Sequence, residues 1–252
     1  MNFAPKAILS TFLLLSVPTV SLAQAPAAEK APAISEAMQP LAESVKAKMI
    51  DVFVGAISKL QGGNLPPELK TKMKEKAASE IISSEIFQWD KAQLETFKTD
   101  PTIFKASADF LANPPAKDER SKSMIAAFNE QLEGINKDSK LADKLALAGI
   151  KELVLNQLEG RVKMRNIMLM RKLHLNLMEA ELEDFSTYTF KEEELFTNLD
   201  GKKLAWKLNK AAKHSDPILI SPEKAAGKFI VLQKDGAVML RSEKELQTLL
   251  NK

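Results

Sequence analysis

"SKLADKLALAGIKELVLNQLEGRVKMRNIMLMRKLHLNLMEAELEDF", residues 139–185, is the stretch on which the fold turns. It contains no proline and only two glycines, Gly149 and Gly160. Wound at about 3.6 residues per turn, it places Leu, Ile, Met and Val on most of its circumference. That pattern predicts a long central helix covered by other elements on most sides. Gly160 is its weakest point, where a second helix would begin if the first does not run through. The charges are also ordered: from Arg161 to Lys172 every charged residue is basic, and from Glu179 to Asp184 every one is acidic. If a helix starts at Gly160, this order opposes the helix dipole, which favours acids first and bases last. Two arrangements would compensate. A second copy packed antiparallel would set each basic half on an acidic half; within one chain, Lys70 to Lys76 would cover the acidic half, with Glu130 or Glu133 near the basic one.

Inside this stretch, "MRKLHLNLM" spaces Met170, His174 and Met178 four apart, in a chain with two histidines and no cysteine. Four-residue spacing puts neighbours on one helical stripe. Thioether and imidazole are donors that Cu(I) or Ag(I) accepts. Met170 and Met178 stand about 12 Å apart at ~1.5 Å rise per residue, so a site here would be two-coordinate, His174 with either Met. The alternative is that these methionines are core filler, since Met packs adaptably. No cofactor is expected.

Outward toward the N-terminus, Asp100 with Pro101 precedes "TIFKASADFL", Asp90 precedes "KAQLETF", and "NPPAKDERS" leads into Met124, Phe128, Leu132 and Ile135. Each is a helix-start signal followed by apolar residues at helical spacing. Leu69, Met73, Ala77 and Ile81 define another helix after "NLPPELK", with Lys70, Lys72, Lys74 and Lys76 around it. Pro40 suits the first turn of a further helix carrying Val45, Met49, Val52, Ala56 and Leu60, which Gly62 and Gly63 close. Before it, residues 24–39 are rich in Ala and Pro and read as a flexible leader. Residues 1–23 have the form of a secretory signal: Lys6, an apolar stretch from Ala7 to Val20, then Ser21 and Ala23 before a cut that leaves Gln24 first. That stretch is shorter than the roughly 20 residues of a spanning helix and contains Pro18.

Toward the C-terminus, "TFKE" has capping-box form with Thr189 and Glu192, and "GKKLAWKLNKAAK" reads as a helix ending near His214. "KFIVLQ", "KDG" and "AVMLR" form a hairpin signal with Asp235 and Gly236 in the turn; "ILI" at 218–220 is available as a third strand. "SEKE" then caps a last helix with Ser242 and Glu245. The expected fold is therefore mainly α: a multi-helix bundle around a long central helix with a small C-terminal β-hairpin plus helix. The expected divisions are a signal peptide at 1–23, the leader at 24–39, a helical domain at 40–216, and a hairpin-and-helix subdomain at 217–252.

The segment "TFKEEELFTNLDGKKLAWKL", residues 189–208, resembles part of a family of uncharacterised, signal-bearing bacterial helical proteins. That resemblance implies export but no activity. "KFIVLQKDGAVMLRSEKELQTLL" is similar to the closing hairpin and helix of a thioredoxin-type fold, yet without cysteine no Cys-x-x-Cys redox pair exists.

For function, 36 Lys+Arg against 33 Asp+Glu leave a net charge of +3, too balanced for nucleic acid as the main partner. No nucleophile elbow, H-E-x-x-H, phosphate loop or EF-hand loop is present, and His174 and His214 lie in no catalytic motif. The expectation is a periplasmic or secreted, non-catalytic binding protein. It would engage a protein partner, or a second copy, through the central helix, with no membrane span once the signal is removed. The alternative is a carrier of an apolar small molecule or lipid.

Overall fold

A computed structural model describes residues 33–115, 119–183, 185–209 and 216–250. The signal-peptide and Gln24 expectations, most of the leader, and His214 lie outside the described residues. Seven α-helices are described: α1 (Gln39–Leu60), α2 (Pro67–Ile81), α3 (Lys91–Thr99), α4 (Pro101–Ala112), α5 (Glu119–Gln131), α6 (Leu141–Glu179) and α7 (Glu243–Leu250). Six strands lie between the last two: β1 (Phe196–Thr197), β2 (Lys203–Leu204), β3 (Lys207–Leu208), β4 (Pro217–Ile220), β5 (Phe229–Gln233) and β6 (Val238–Arg241). The fold is mainly helical, with a long central helix and a small C-terminal sheet plus a final helix. Among the described residues, no helix is long and apolar enough to cross a membrane.

The chain forms two compact units that divide inside α6: the first takes residues up to Pro114 and Glu119–Val154, the second is built from Leu155 onward. The expected boundary at 216/217 is therefore not where the chain divides. The physical reason is that β4 is hydrogen-bonded between β3 and β5, so the strands before and after that point share one sheet. α6 runs through Gly160 without a break over 39 residues. Its basic segment is thus helix interior, and the dipole argument applies only to the acids at its C-terminal end.

In the first unit, α1 packs on α2 and α5. Val45, Met49, Val52 and Ala56 are buried as their spacing predicts. Gly149 admits α1, since a Cβ there would lie 2.6 Å from Met49 Cε and 2.7 Å from Ile86 Cδ1. The residues just before α1 are not a free leader. Met38 is fully buried, the Ser35 amide donates to Phe87 O at 2.9 Å, and its hydroxyl donates to Trp89 O at 2.6 Å. One apolar side chain at the helix entrance is enough to dock the segment. The sequence-predicted caps form: Asp90 accepts from the Gln93 amide at 2.8 Å, and Asp100 from the Thr102 amide at 2.8 Å.

In the second unit, β3-β4-β5-β6 form an antiparallel sheet, and β1 pairs with β2. Alternation along β5 sends Ile230 and Leu232 into a core with Met170, Leu173 and Leu177 of α6, and Val231 into a smaller one with Ile220 and Leu246. The predicted hairpin closes with Gly236 at φ +86°, its amide donating to Gln233 O at 3.0 Å. Ser242 and Glu245 cap α7 reciprocally, at 2.7 and 3.3 Å. Two expectations fail. Residues 203–204 and 207–208 are strands rather than helix, because Lys203 and Leu204 pair with Thr197 and Phe196 of β1, and Lys207 and Leu208 with Ile220 and Leu219 of β4. Glu192 does not close a box on Thr189; Glu194 reaches back instead to the Lys191 amide at 2.9 Å.

Candidate functional site

The second half of α6 carries the residues singled out from the sequence, and the helix sorts them by angle. A step of four residues overshoots a full turn by about 40°, so Met170 and Met178 diverge by about 80°. Met170 is fully buried, His174 is half-buried and Met178 is 62% exposed. The His174 ring lies against the β5–β6 turn, where a Cβ on Gly236 would meet its Cε1 at 2.5 Å. Met170 faces the core with Leu173 and Leu177, whereas Met178 faces solvent. The three side chains do not converge. Among the described residues, no group of three or more His, Cys, Asp or Glu is placed to hold a metal ion.

Two asparagines on the buried stripe were not singled out by the sequence reading. Asn166 is fully buried and grips β1, accepting from the Thr197 amide at 3.0 Å and donating to Thr197 O at 2.8 Å. Asn176 donates to Glu194 Oε1 at 2.9 Å, and Tyr188 OH donates to the same oxygen at 2.9 Å. Glu194 is 4% exposed, and its backbone carbonyl accepts from Trp206 Nε1 at 2.7 Å. Burial of the Tyr188 hydroxyl, with the Glu194 carboxylate beside it, raises its pKa above the ordinary value despite the Asn176 hydrogen bond. This cluster ties α6 to the chain that follows it and has the form of a fastening. The signal available in the sequence was an amide on an otherwise apolar stripe, which requires a partner.

Each unit also has a cleft. In the first, about 510 Å³ is lined by Asp51, Ser58, Lys59, Gly63, Lys70 and Lys74. Lys59 pairs with Glu130 and Lys74 with Asp51, so two of its three lysines are neutralised locally. In the second, about 370 Å³ is lined by the charged Glu159, Asp200, Glu223 and Lys224 among apolar and small residues such as Phe196 and Gly227.

The feature that stands apart is the outer face of α6. Met168 is 66% exposed, Leu175 58% and Met178 62%, and Arg171 and Lys172 between them are exposed as well. Around the helix Met168 and Leu175 stand about 20° apart and Met178 about 80° from Met168, so the three share one outer side of α6. Sequence reasoning assigned the central helix an apolar face but could not separate this stripe from the buried one. Compared with known protein families, curated proteins and solved structures, the chain matches none.

Proposed function

We propose that this chain is an exported, non-catalytic interaction protein that docks a protein surface through the outer stripe of α6. The observation that carries the reading is the placement of Met168, Leu175 and Met178, each more than half exposed, on one side of a helix whose opposite face is buried. A folded protein holds such a row in water at a cost of about 25 cal/mol per Å² of apolar surface, which a partner removes. Export is supported by Lys6, the apolar stretch and the small residues before Gln24. The absence of a nucleophile or phosphate-binding motif supports a binding role over catalysis.

Placing a photo-reactive phenylalanine analogue at 168, 175 or 178 in the producing cells tests this. A discrete cross-linked species is expected from those three positions and not from the exposed Lys98 position on α3. Equal, diffuse labelling from all four positions would remove the docking surface.

A further inference from the structure

We infer that the occupant of this stripe is the same stripe of a second copy, packed antiparallel about a two-fold axis that crosses α6 near residue 173. The inference rests on the docking reading above and names its partner. Met164, Met168, Arg171, Leu175 and Met178 follow one another at steps of four, three, four and three, the repeat by which two helices share a seam.

The charges select the direction. Arg165, Arg171 and Lys172 are exposed and basic, and Glu179, Glu181 and Glu183 are exposed and acidic. Of the residues that could neutralise them within the chain, Lys74 pairs with Asp51, Lys76 with Glu80 and Glu130 with Lys59. Among the described residues, Lys163, Arg165, Arg171, Lys172, Glu179, Glu181 and Glu183 form no ion pair. A parallel pair would set like charge on like, whereas an antiparallel pair sets basic on acidic at both ends at once.

The apolar residues select the register. With the axis at 173, Met168 faces Met178 of the second copy and Leu175 faces the alkyl stem of its Arg171. Arg165 then lies near the level of the partner's helix end, where Glu179 closes α6 and Glu181 follows in the turn. Moving the axis one layer toward the N-terminus sets Arg171 on Met168 and withdraws the acids from the bases. Moving it one layer the other way carries the stripe past the helix end at Glu179. In the chosen register Lys172 lies beside the axis and approaches its own symmetry mate. Three apolar side chains per copy make a contact smaller than the ~1,200 Å² at the lower end of standard interfaces, so the pairing is concentration-dependent and weakened by salt.

The chain has no cysteine, so introduced thiols are the only ones present. Purified full-length Met168→Cys and Met178→Cys variants, mixed and treated with a short thiol-to-thiol cross-linker, should give a double-mass product; each alone should give little. Arg171→Cys mixed with Leu175→Cys should also give a double-mass product, and because each lies only about 6 Å along the helix from its own symmetry mate, each alone should give one too. In sedimentation of otherwise unchanged protein, Lys172→Ala should tighten self-association several-fold. Arg165→Glu should weaken it, and adding Glu181→Lys should restore it. A self-product from Met168→Cys alone would overturn the antiparallel register. If no mixture cross-links while the photo-reactive group at 175 captures a different protein, self-pairing is overturned and the docking reading survives. If neither experiment gives a product, both are overturned.

Discussion

Adding one methyl group at position 236 should destabilise the second unit through two separable effects. Gly236 has φ +86°, a conformation that costs an L-residue about 1–2 kcal/mol. The new Cβ would also stand 2.5 Å from His174 Cε1 and 2.9 Å from Nδ1 and Nε2. Carbon contacts relax at about 3.5–4.0 Å, so the imidazole must move by roughly an ångström. Overpacking costs about 1–3 kcal/mol, and because His174 is only half-buried we take the lower part of that range, about 1–1.5. Gly236→Ala should therefore cost about 2–3.5 kcal/mol, and Gly236→Val more, since β-branching resists positive φ further. In a His174→Ala background the same substitution should cost only the backbone component, about 1–2 kcal/mol. Urea unfolding read by Trp206 fluorescence measures this. Trp206 is 5% exposed and packs edge-on to Phe196 at 5.6 Å, and Trp89→Phe removes the only other tryptophan. Equal losses with and without the His174 ring would refute the packing of that ring on the turn, and no loss at all would refute the turn.

Asn166→Leu should cost about 2–4 kcal/mol in the same assay, because it leaves the amide and carbonyl of Thr197 buried without their partner. Tyr188 is the chain's only tyrosine, and an ultraviolet titration should find it ionising above the ordinary value of about 10, with Glu194→Gln moving the titration back down. Since its folded pKa exceeds its unfolded one, its stabilising contribution is complete below about pH 10 and is lost as pH rises through the raised value; a stability flat across that range would count against the buried cluster. The exported protein should begin at Gln24 by intact mass, and a product that retains residues 1–23 would overturn the export argument.

What could be read from the sequence was what neighbours in the chain decide. Asp90, Asp100 and Ser242 cap helices because each bonds to an amide two or three residues ahead, a choice settled within one turn. The stripe Val45, Met49, Val52, Ala56 needs only helical spacing. Residues 203–208 have no helical or strand pattern of their own, because two-residue strands are too short for one; β1 holds 203–204, β4 holds 207–208, and the Trp206 ring between them is fixed on Glu194. The candidate site was half legible. The Met170, His174, Met178 spacing could be seen, but which way the helix faces depends on the sheet that covers Met170 and Leu173, so the exposed row at 168, 175 and 178 looked like more core.

The division of α6 between the units sets an order of events during synthesis. The first unit is complete at Val154, so the first half of the helix can find its neighbours as soon as it is made. Met170, Leu173 and Leu177 are finished next, but Ile230 and Leu232, which cover them, follow more than fifty residues later. At about 5–20 residues per second, the second half of α6 spends some seconds with apolar residues bare on both its faces. Over that interval the nascent chain offers a helper protein both apolar faces where the finished molecule keeps one, and a pause in translation after α6 has emerged and before β5 has would prolong the exposure.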